Sequence, residues 1–378
     1  MKRLFCAALA LCLLLCGCDS LFSDTYVSKT PHKEQIVEND TEELTVSRYF
    51  QLHQALANLI EDGTESAVIY VTEYDADQLE SDLEKAVAKV LGENPIAAYA
   101  VEGISYELGS NSGKAAVAVN ISYLHGRYEL RRLQKYATVE SATAAITEAL
   151  DNCDTGVVFL IDVYTATDFT QLVEDYAEEN PQSVMEVPEV AANIYPETGV
   201  SRVVELKFTY QTSRDSLRTM QTQVQPVFAS ARLYVSGDSE DHEKLSQLYS
   251  FLMERYDYKI ETSITPAYSL LRHGVGDCKA FALVYAYMCR RAGLECQVVS
   301  GTRAGEAWYW NIVQDGEVWY HVDLLNSAGF RELGDEEMEG YVWDYSAYPA
   351  CGAPEPEETT EAATEPEEET TAPGENVE

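Results

Sequence analysis

Two stretches in the first half of the chain share one order of apolar and polar positions. "AVIYVTEYDADQLESDLEKAV" from Ala67 and "GVVFLIDVYTATDFTQLVEDYA" from Gly156 both start with a β-rich apolar run and continue with apolar residues at helical spacing. "ISYLHGRYELRRLQ" from Ile121 and "FTYQTSRDSLRTMQ" from Phe208 are a second matching pair. The pattern predicts two copies of an α/β unit, each with a buried strand, an amphipathic helix, two alternating strands and a further helix.

These copies give the first domain boundaries. We expect unit 1 over 48–136 and unit 2 over 137–223, as one pseudo-symmetric domain or as two tandem small domains. Neither unit shows a catalytic constellation. Arg127 and Arg214 lie at matching positions, and surface ion pairs explain them better than a ligand site does.

After Gln223 the repeated pattern ends, which predicts a third domain over 224–351. Its most informative segment is "RHGVGDCKAFALVYAYMCRRAGLECQVVSG". Here the glycines predict a tight loop, Asp277 an N-cap, Cys278 the first residue of a helix, and Gly293 its end. "LECQVVSG" then predicts a strand.

A cysteine that opens a helix has a distinctive environment. Cys278 would face unpaired backbone N–H groups and the positive end of the helix dipole, which favour the thiolate and can stabilise an oxyanion. Cys289 falls within the helix and Cys296 within the strand, so both are expected to be small buried apolar residues.

The segment "GEAWYWNIVQDGEVWYHVD", residues 305 to 323, predicts a hairpin with its turn at "QDG". Strand alternation places Trp308 and Trp310 on one face and Tyr309 on the other. By the same rule His321 and Asp323 share a face.

The start of the chain has the pattern of a secretory signal. Lys2 and Arg3 precede an apolar run that is shorter than the roughly 20 residues of a membrane span, and small residues follow. Its end, "LCGC", resembles the bacterial lipobox, which implies a signal over 1–17, an acyl chain on Cys18 and a tether over 18–47. An ordinary signal peptide is the alternative. The expected location is extracytoplasmic, anchored to the membrane by the lipid on Cys18.

Charge narrows the range of partners. A formal net charge of -38 argues against nucleic acid and against direct adsorption to anionic lipid. Membrane contact is therefore expected through the lipid anchor only. The segment 352–378 is rich in glutamate and has almost no apolar residue, so it is expected to be a disordered acidic tail.

The third domain resembles the transglutaminase-like superfamily, whose fold is related to that of the papain-like cysteine peptidases. The resemblance is carried by "GVGDC", "QVVSG", "WNIV", "DGEVWYHVD" and "DEEMEGYVWDYSAYPAC", in that order. The predicted fold class is α+β: two tandem repeated α/β units followed by a C-terminal transglutaminase-like, papain-like domain. The resemblance implies Cys278 as nucleophile and Asp323 as the carboxylate that orients a histidine.

That histidine is absent from its place, because alignment of "WNIV" and "WYHVD" with the family pattern puts Trp308 at the base position. An indole has one N–H donor and is neither an acid nor a base near neutral pH. Two histidines are candidates to replace the base. His321 precedes Asp323 on the same strand face, and His273 lies in the loop before Cys278.

Two functions therefore stay open. The favoured hypothesis is a catalytically impaired surface lipoprotein in which Trp308 and Trp310 bind a surface protein or a cell-wall peptide. The alternative is an active cysteine-dependent acyltransferase or peptidase that forms a thioester on Cys278. No cofactor is expected, and no metal site is predicted, because the histidines and cysteines lack ligand spacing.

Overall fold

The computed structural model describes residues 44–352. The expected signal over 1–17, the lipidation residue Cys18 and the tail from 353 onward lie outside the described residues. No helix between residues 44 and 352 has the length and apolar character needed to cross a membrane. All the cysteines in this part of the chain are free thiols: Cys153, Cys278, Cys289, Cys296 and Cys351.

The first unit is a four-stranded sheet covered by helices. The strands are β1 (Thr45–Val46), β2 (Ser66–Val71), β3 (Val101–Asn111) and β4 (Lys114–Tyr123), and the helices are α1 (Tyr49–Glu61), α2 (Ala76–Glu93) and α3 (Pro95–Ala100). The spatial order is β1-β2-β4-β3, with β1 parallel to β2 and the other pairs antiparallel. Leu56, Leu83 and Val117 are in its core.

The second unit has the same strand order and the same pairing directions, β5-β6-β8-β7, with β5 parallel to β6. The strands are β5 (Gln134–Tyr136), β6 (Gly156–Ile161), β7 (Glu189–Tyr195) and β8 (Arg202–Thr209), and the helices are α4 (Arg127–Leu130), α5 (Val139–Asp151) and α6 (Phe169–Glu179). Helices α2 and α6 also start alike. Asp75 and Asp168 are their N-caps, and each carboxylate accepts two backbone N–H groups of the first turn.

The structure differs from the predicted boundaries at three places. Strand β1 begins before residue 48, and β5 pairs with β6 although it precedes residue 137. The next helix, α7 (Arg214–Tyr234), crosses the boundary at 223/224. Its buried Leu217, Val224 and Phe228 pack in the core of the third domain. The sequence could not show these features, because a strand of two or three residues is too short to have a periodicity. The periodicity of a helix such as α7 does not show which domain its apolar face packs against.

The third domain contains a four-stranded antiparallel sheet in the order β13-β12-β11-β14. Its helices after α7 are α8 (Asp241–Met253), α9 (Pro266–Tyr268) and α10 (Cys278–Arg291), with a π-helical turn at Ser269–His273 and a 3-10 turn at Asp335–Glu337. Its strands are β9 (Asp257–Tyr258), β10 (Val275–Gly276), β11 (Cys296–Arg303), β12 (Glu306–Asp315), β13 (Val318–Val322) and β14 (Tyr341–Val342).

The two faces of this sheet contact different layers. Helix α10 packs on one face, where the side-chain amide of Asn311 donates to the Ala282 carbonyl at 3.0 Å. The other face carries Trp310 and Ile312 and is covered by the returning segment after β13, including Trp343. Alternation along β12 therefore separates a helix-facing set of side chains from a set facing the C-terminal segment.

Candidate active site

Cys278 is the first residue of α10, as the sequence predicts. The Asp277 carboxylate caps the helix by accepting the Ala280 N–H at 2.9 Å. Two glycines shape the approach. Gly274 has φ 81°, and a Cβ on Gly276 would lie 2.8 Å from the Cβ of Ala280. The cysteine is thereby held, half-buried, at the point where β10 turns into the helix.

The thiol of Cys278 is less acidic than its position at a helix start suggests. Burial raises its pKa, and so do the nearby carboxylates of Asp277 and Asp323. The backbones of Tyr309 and Lys279 act in the opposite direction but do not outweigh burial. The expectation of a thiolate was therefore wrong, because it counted the helix terminus and left out the cost of desolvating the charged sulfur.

Asp323 is a saturated hydrogen-bond acceptor. Its side chain is 1% exposed. Its Oδ2 accepts from Trp308 Nε1 at 3.1 Å, from Arg303 Nη1 at 3.1 Å and from the Tyr341 hydroxyl at 2.6 Å. Its Oδ1 accepts the backbone N–H of Leu325 at 2.9 Å. The carboxylate is thus fully engaged without any imidazole.

Trp308 lies where the alignment places it, with its only polar atom directed at Asp323. Its half-buried ring has Tyr258 on one side, with centroids 5.9 Å apart, and the Arg303 guanidinium 5.1 Å from its centroid. Arg303 also lies 5.3 Å from the centroid of Tyr341. Burial followed by the hydrogen bond to Asp323 raises the pKa of Tyr341, so this phenol stays a donor.

Trp310 does not line the site. Its side chain is 0% exposed, and its Nε1 donates to Nδ1 of His321 at 2.9 Å. Edge-on contacts with Tyr341 and Trp343 fix the indole in the core of the C-terminal layer. The prediction that Trp310 binds a ligand is therefore wrong: strand alternation gave the correct face, but the sequence did not show that a later segment covers it.

His321 is not a replacement base. Because Nδ1 accepts from Trp310, the proton is on Nε2, which donates to Asp335 Oδ1 at 2.8 Å. Burial lowers the pKa of the imidazole, while Asp335 opposes that shift. With both ring nitrogens engaged inside the protein, His321 has no lone pair to offer Cys278.

His273, the other candidate, packs edge-on against Tyr268 with centroids 5.2 Å apart. The Tyr268 hydroxyl in turn donates to the Gln223 side chain of α7. Within residues 44–352 the structure shows no hydrogen bond between His273 and Cys278. The loop that carries His273 therefore directs it toward α7.

The second unit contacts the edge of the site. Lys279 Nζ lies 3.2 Å from the carboxylate of Glu178, the penultimate residue of α6. It also lies 5.0 Å from the ring centroid of Tyr309. Backbone groups of Lys279 and Tyr309 also act to lower the pKa of the Cys278 thiol. A contact between the second and third domains therefore lies at the residue next to Cys278.

The sequence did not identify Arg303, Tyr341 or Lys279 as site residues. Arg303 ends the strand that contains "QVVSG", and Tyr341 lies in "DEEMEGYVWDYSAYPAC", a segment that already carried the family resemblance. The pairing of β14 with β11, in which Tyr341 lies opposite Arg303, brings them together. No spacing in the sequence encodes this two-residue pairing.

One family model matches part of the third domain. Residues 229–325 match the family model described as the transglutaminase-like superfamily. No curated protein matches the chain.

Solved structures also match, at low similarity. One is named a TGase: identity is 11%, TM-score 0.26, with 46% of this chain and 51% of that chain covered. A proposed cysteine protease from Cytophaga hutchinsonii has 11% identity and a TM-score of 0.25, over 41% of this chain and 70% of its own. A proposed protease from Parabacteroides distasonis has 10% identity and a TM-score of 0.22, over 71% of this chain and 44% of its own. This chain spans about half the length of the first of these. By this family match, residues 229–325 contain a transglutaminase-like domain.

Proposed function

We propose that this protein is a surface lipoprotein whose transglutaminase-like domain has lost thiol–imidazole catalysis and binds a peptide segment of a surface protein or of the cell wall. The contact between Trp308 Nε1 and Asp323 Oδ2 carries this proposal. A thiol nucleophile needs a partner that removes its proton and later protonates the leaving group. Trp308 instead donates its indole N–H to Asp323, the carboxylate that would orient such a partner, and the indole has no basic atom.

The electrostatics of the sulfur support the same conclusion. Burial and the carboxylates of Asp277 and Asp323 raise the pKa of Cys278, so the neutral thiol dominates near pH 7. An imidazolium would act in the opposite direction by pairing with the thiolate. Since Arg303 and Trp308 both contact Asp323 rather than the sulfur, their positive and polar groups stabilise the carboxylate instead.

An aromatic surface beside Cys278 would supply the binding. Tyr258 is 41% exposed and packs against Trp308. Ile260, two residues after Tyr258, and Val342, directly after Tyr341, are also exposed. Exposed aromatic rings with neighbouring aliphatic side chains suit the apolar side chains of an extended peptide.

The location of the protein belongs to this proposal as well. An acyl chain on Cys18 would hold it at the outer face of the membrane, with 18–47 as tether and 352–378 as a solvating tail. The two α/β units, which share one strand order, are proposed to be tandem copies that separate the binding domain from the lipid.

Alkylation of Cys278 by iodoacetamide, followed by mass spectrometry over a pH series, tests the loss of catalysis. We expect the folded chain to label more slowly at pH 6 to 8 than the same cysteine in the urea-unfolded chain, because the raised pKa leaves less thiolate. Cys289 and Cys296 are buried and serve as internal controls for unfolding, since they should stay unlabelled. Rapid labelling of Cys278 at pH 6 would contradict the proposal.

The binding part needs a separate measurement. A synthetic cell-wall stem peptide and an unstructured glutamine-containing peptide can be titrated into the full chain by calorimetry. Tyr258→Ala should weaken binding by about tenfold or more, as expected for an aromatic contact residue. Tyr128→Ala, at an exposed tyrosine on α4, is the matched control and should leave the affinity unchanged. Equal affinities of the two variants would argue against this surface.

An active cysteine enzyme is the second candidate, and one observation favours it. The backbones of Tyr309 and Lys279 act to lower the pKa of the Cys278 thiol, and backbone N–H donors beside the sulfur would also stabilise an oxyanion. In that case Cys278→Ser would abolish release of ammonia from a glutamine peptide by the unmodified chain. Absence of any such release by the unmodified chain would exclude amidase or transamidase activity on that substrate.

A further inference from the structure

We propose that His242, Asp315 and Glu332 form a binding site for a divalent transition-metal ion such as Zn²⁺. This inference does not rest on the proposed function. The three residues come from separate parts of the third domain: the second residue of α8, the last residue of β12, and the segment after β13. Nδ1 of His242 lies 2.8 Å from Glu332 Oε2 and 3.6 Å from Asp315 Oδ2. One ligand atom from each residue lies within 4.8 Å of the other two.

Glu332 supplies the observation that points to a missing ligand. Its side chain is 13% exposed, and its Oε1 is buried without a hydrogen-bond partner. A buried carboxylate oxygen that accepts nothing is costly, because it has lost its water and gained no donor. A metal ion bound to this carboxylate would remove that cost.

The charges around the site support a cation. Asp315 and Glu332 are like-charged neighbours, and within the described chain His242 is the only basic side chain at ion-pair distance from either carboxylate. A single imidazole cannot balance the charge of two carboxylates, whereas a divalent ion can.

The donor set identifies the class of metal. One imidazole nitrogen with two carboxylate oxygens suits Zn²⁺ and neighbouring first-row ions, while Ca²⁺ prefers oxygen ligands alone. His242 is held by an edge-on contact with Phe330, at 5.6 Å between centroids, yet its side chain is 60% exposed. The exposed side leaves room for water as a further ligand.

A second cluster with comparable spacing gives a useful contrast. His321, Asp335 and Cys351 also place three ligand atoms within 4.8 Å of one another. There, however, Nδ1 of His321 accepts from Trp310, so Nε2 carries the proton and donates to Asp335. A metal-bound imidazole needs the reverse arrangement, with its other nitrogen donating to an acceptor. This cluster is satisfied without an ion, and we use it as the control.

Metal binding would link α8 to the β12–β13 turn and to the segment that follows Asp323. The sequence spacing gave no sign of this site, because its ligands are 73 and 17 residues apart along the chain, from 242 to 315 and from 315 to 332. Only the fold brings them together.

The test uses the full chain after treatment with EDTA. Titration with Zn²⁺ by calorimetry should show a site whose affinity falls at least about 100-fold in Asp315→Asn and in Glu332→Gln. Zn²⁺ should also raise the melting temperature of the unmodified chain by a few degrees, and each variant should lose this rise. Both substitutions keep the side-chain shape, and melting curves without metal verify that each variant folds.

Asp335→Asn is the matched control and should keep the Zn²⁺ affinity. Failure of the unmodified chain to bind Zn²⁺ would overturn the proposal. Zn²⁺ binding that survives in the double variant Asp315→Asn/Glu332→Gln would also overturn it. Such binding would belong to the second cluster if Asp335→Asn abolished it, and otherwise to the cysteine thiols.

Discussion

Two tryptophans on one face of β12 make the same kind of hydrogen bond in very different surroundings. Trp308 donates to Asp323 at 3.1 Å, and Trp310 donates to His321 at 2.9 Å. Trp310 is fully buried beneath the C-terminal segment, whereas Trp308 is half-buried beside Tyr258 and close to the Cys278 site.

The difference shows how similar contacts take on different roles. Trp310 and His321 satisfy each other inside a packed layer, so the pair contributes to folding. Trp308 donates to a carboxylate that the family resemblance assigns to a catalytic histidine, and in the proposed function this contact takes the place of that histidine. The acceptor and the exposure, rather than the indole itself, therefore distinguish the two contacts.

The largest effect that this comparison predicts is at Trp310. Trp310→Ala should lower the free energy of unfolding by about 3 to 5 kcal/mol, because it removes a fully buried aromatic side chain. Trp310→Phe keeps most of the packing but leaves Nδ1 of His321 without a donor, which should cost about 1 to 3 kcal/mol. Urea unfolding measures both. A loss below about 1 kcal/mol for Trp310→Ala would show that the pair is not a core contact.

Trp308→His should restore a base beside the thiol. An imidazole there could hydrogen-bond to Asp323 with one nitrogen and pair with Cys278 through the other, so alkylation at pH 6 should speed up by about 100-fold. Trp308→Phe is the control and should leave the rate unchanged, because it removes the indole N–H without adding a base. Equal rates for the two variants would mean that more than the base is missing, with Arg303 on Asp323 as the next residue to change.

Asp323→Asn tests the acceptor of the exposed pair. The amide has one oxygen for the several donors around Oδ2 and presents N–H groups where acceptors are needed, so stability should fall by about 1 to 3 kcal/mol. Trp308→Phe should cost less than this, since Asp323 keeps Arg303 and Tyr341. Urea unfolding of both variants gives the order, and the opposite order would show that the indole contributes more than the carboxylate network.

Local sequence signals predicted the parts of the site that depend on neighbouring residues. Asp277 as N-cap and Cys278 as the first residue of α10 follow from a short motif, and both are observed. Alternation predicted correctly that Trp308 and Trp310 share a face. Such features depend on backbone geometry over a few residues, which the sequence determines directly.

The parts that depend on distant segments could not be predicted in this way. The C-terminal segment buries Trp310 and brings Tyr341 to Asp323. The thiol of Cys278 was expected to be acidic from its helix position, but burial by surrounding elements decides its pKa. Exposure and desolvation are properties of the assembled layers, and periodicity gives the face of a side chain without saying what covers it.

The smallest effect concerns the protonation of His321. Burial lowers its pKa below the ordinary 6.5, so the folded state favours the neutral ring. Its contribution to stability is full above pH 6.5 and is lost as pH falls through the lower pKa of the folded state, because the unfolded chain binds the proton more tightly. NMR titration of the histidine Hε1 signals should show His321 titrating below the ordinary 6.5. Removal of the Trp310 donor in Trp310→Phe should raise the His321 pKa, since that donor stabilises the unprotonated Nδ1. Titration of His321 at or above the ordinary value would contradict the assignment of Nδ1 as an acceptor, and with it the distinction between the two tryptophan pairs.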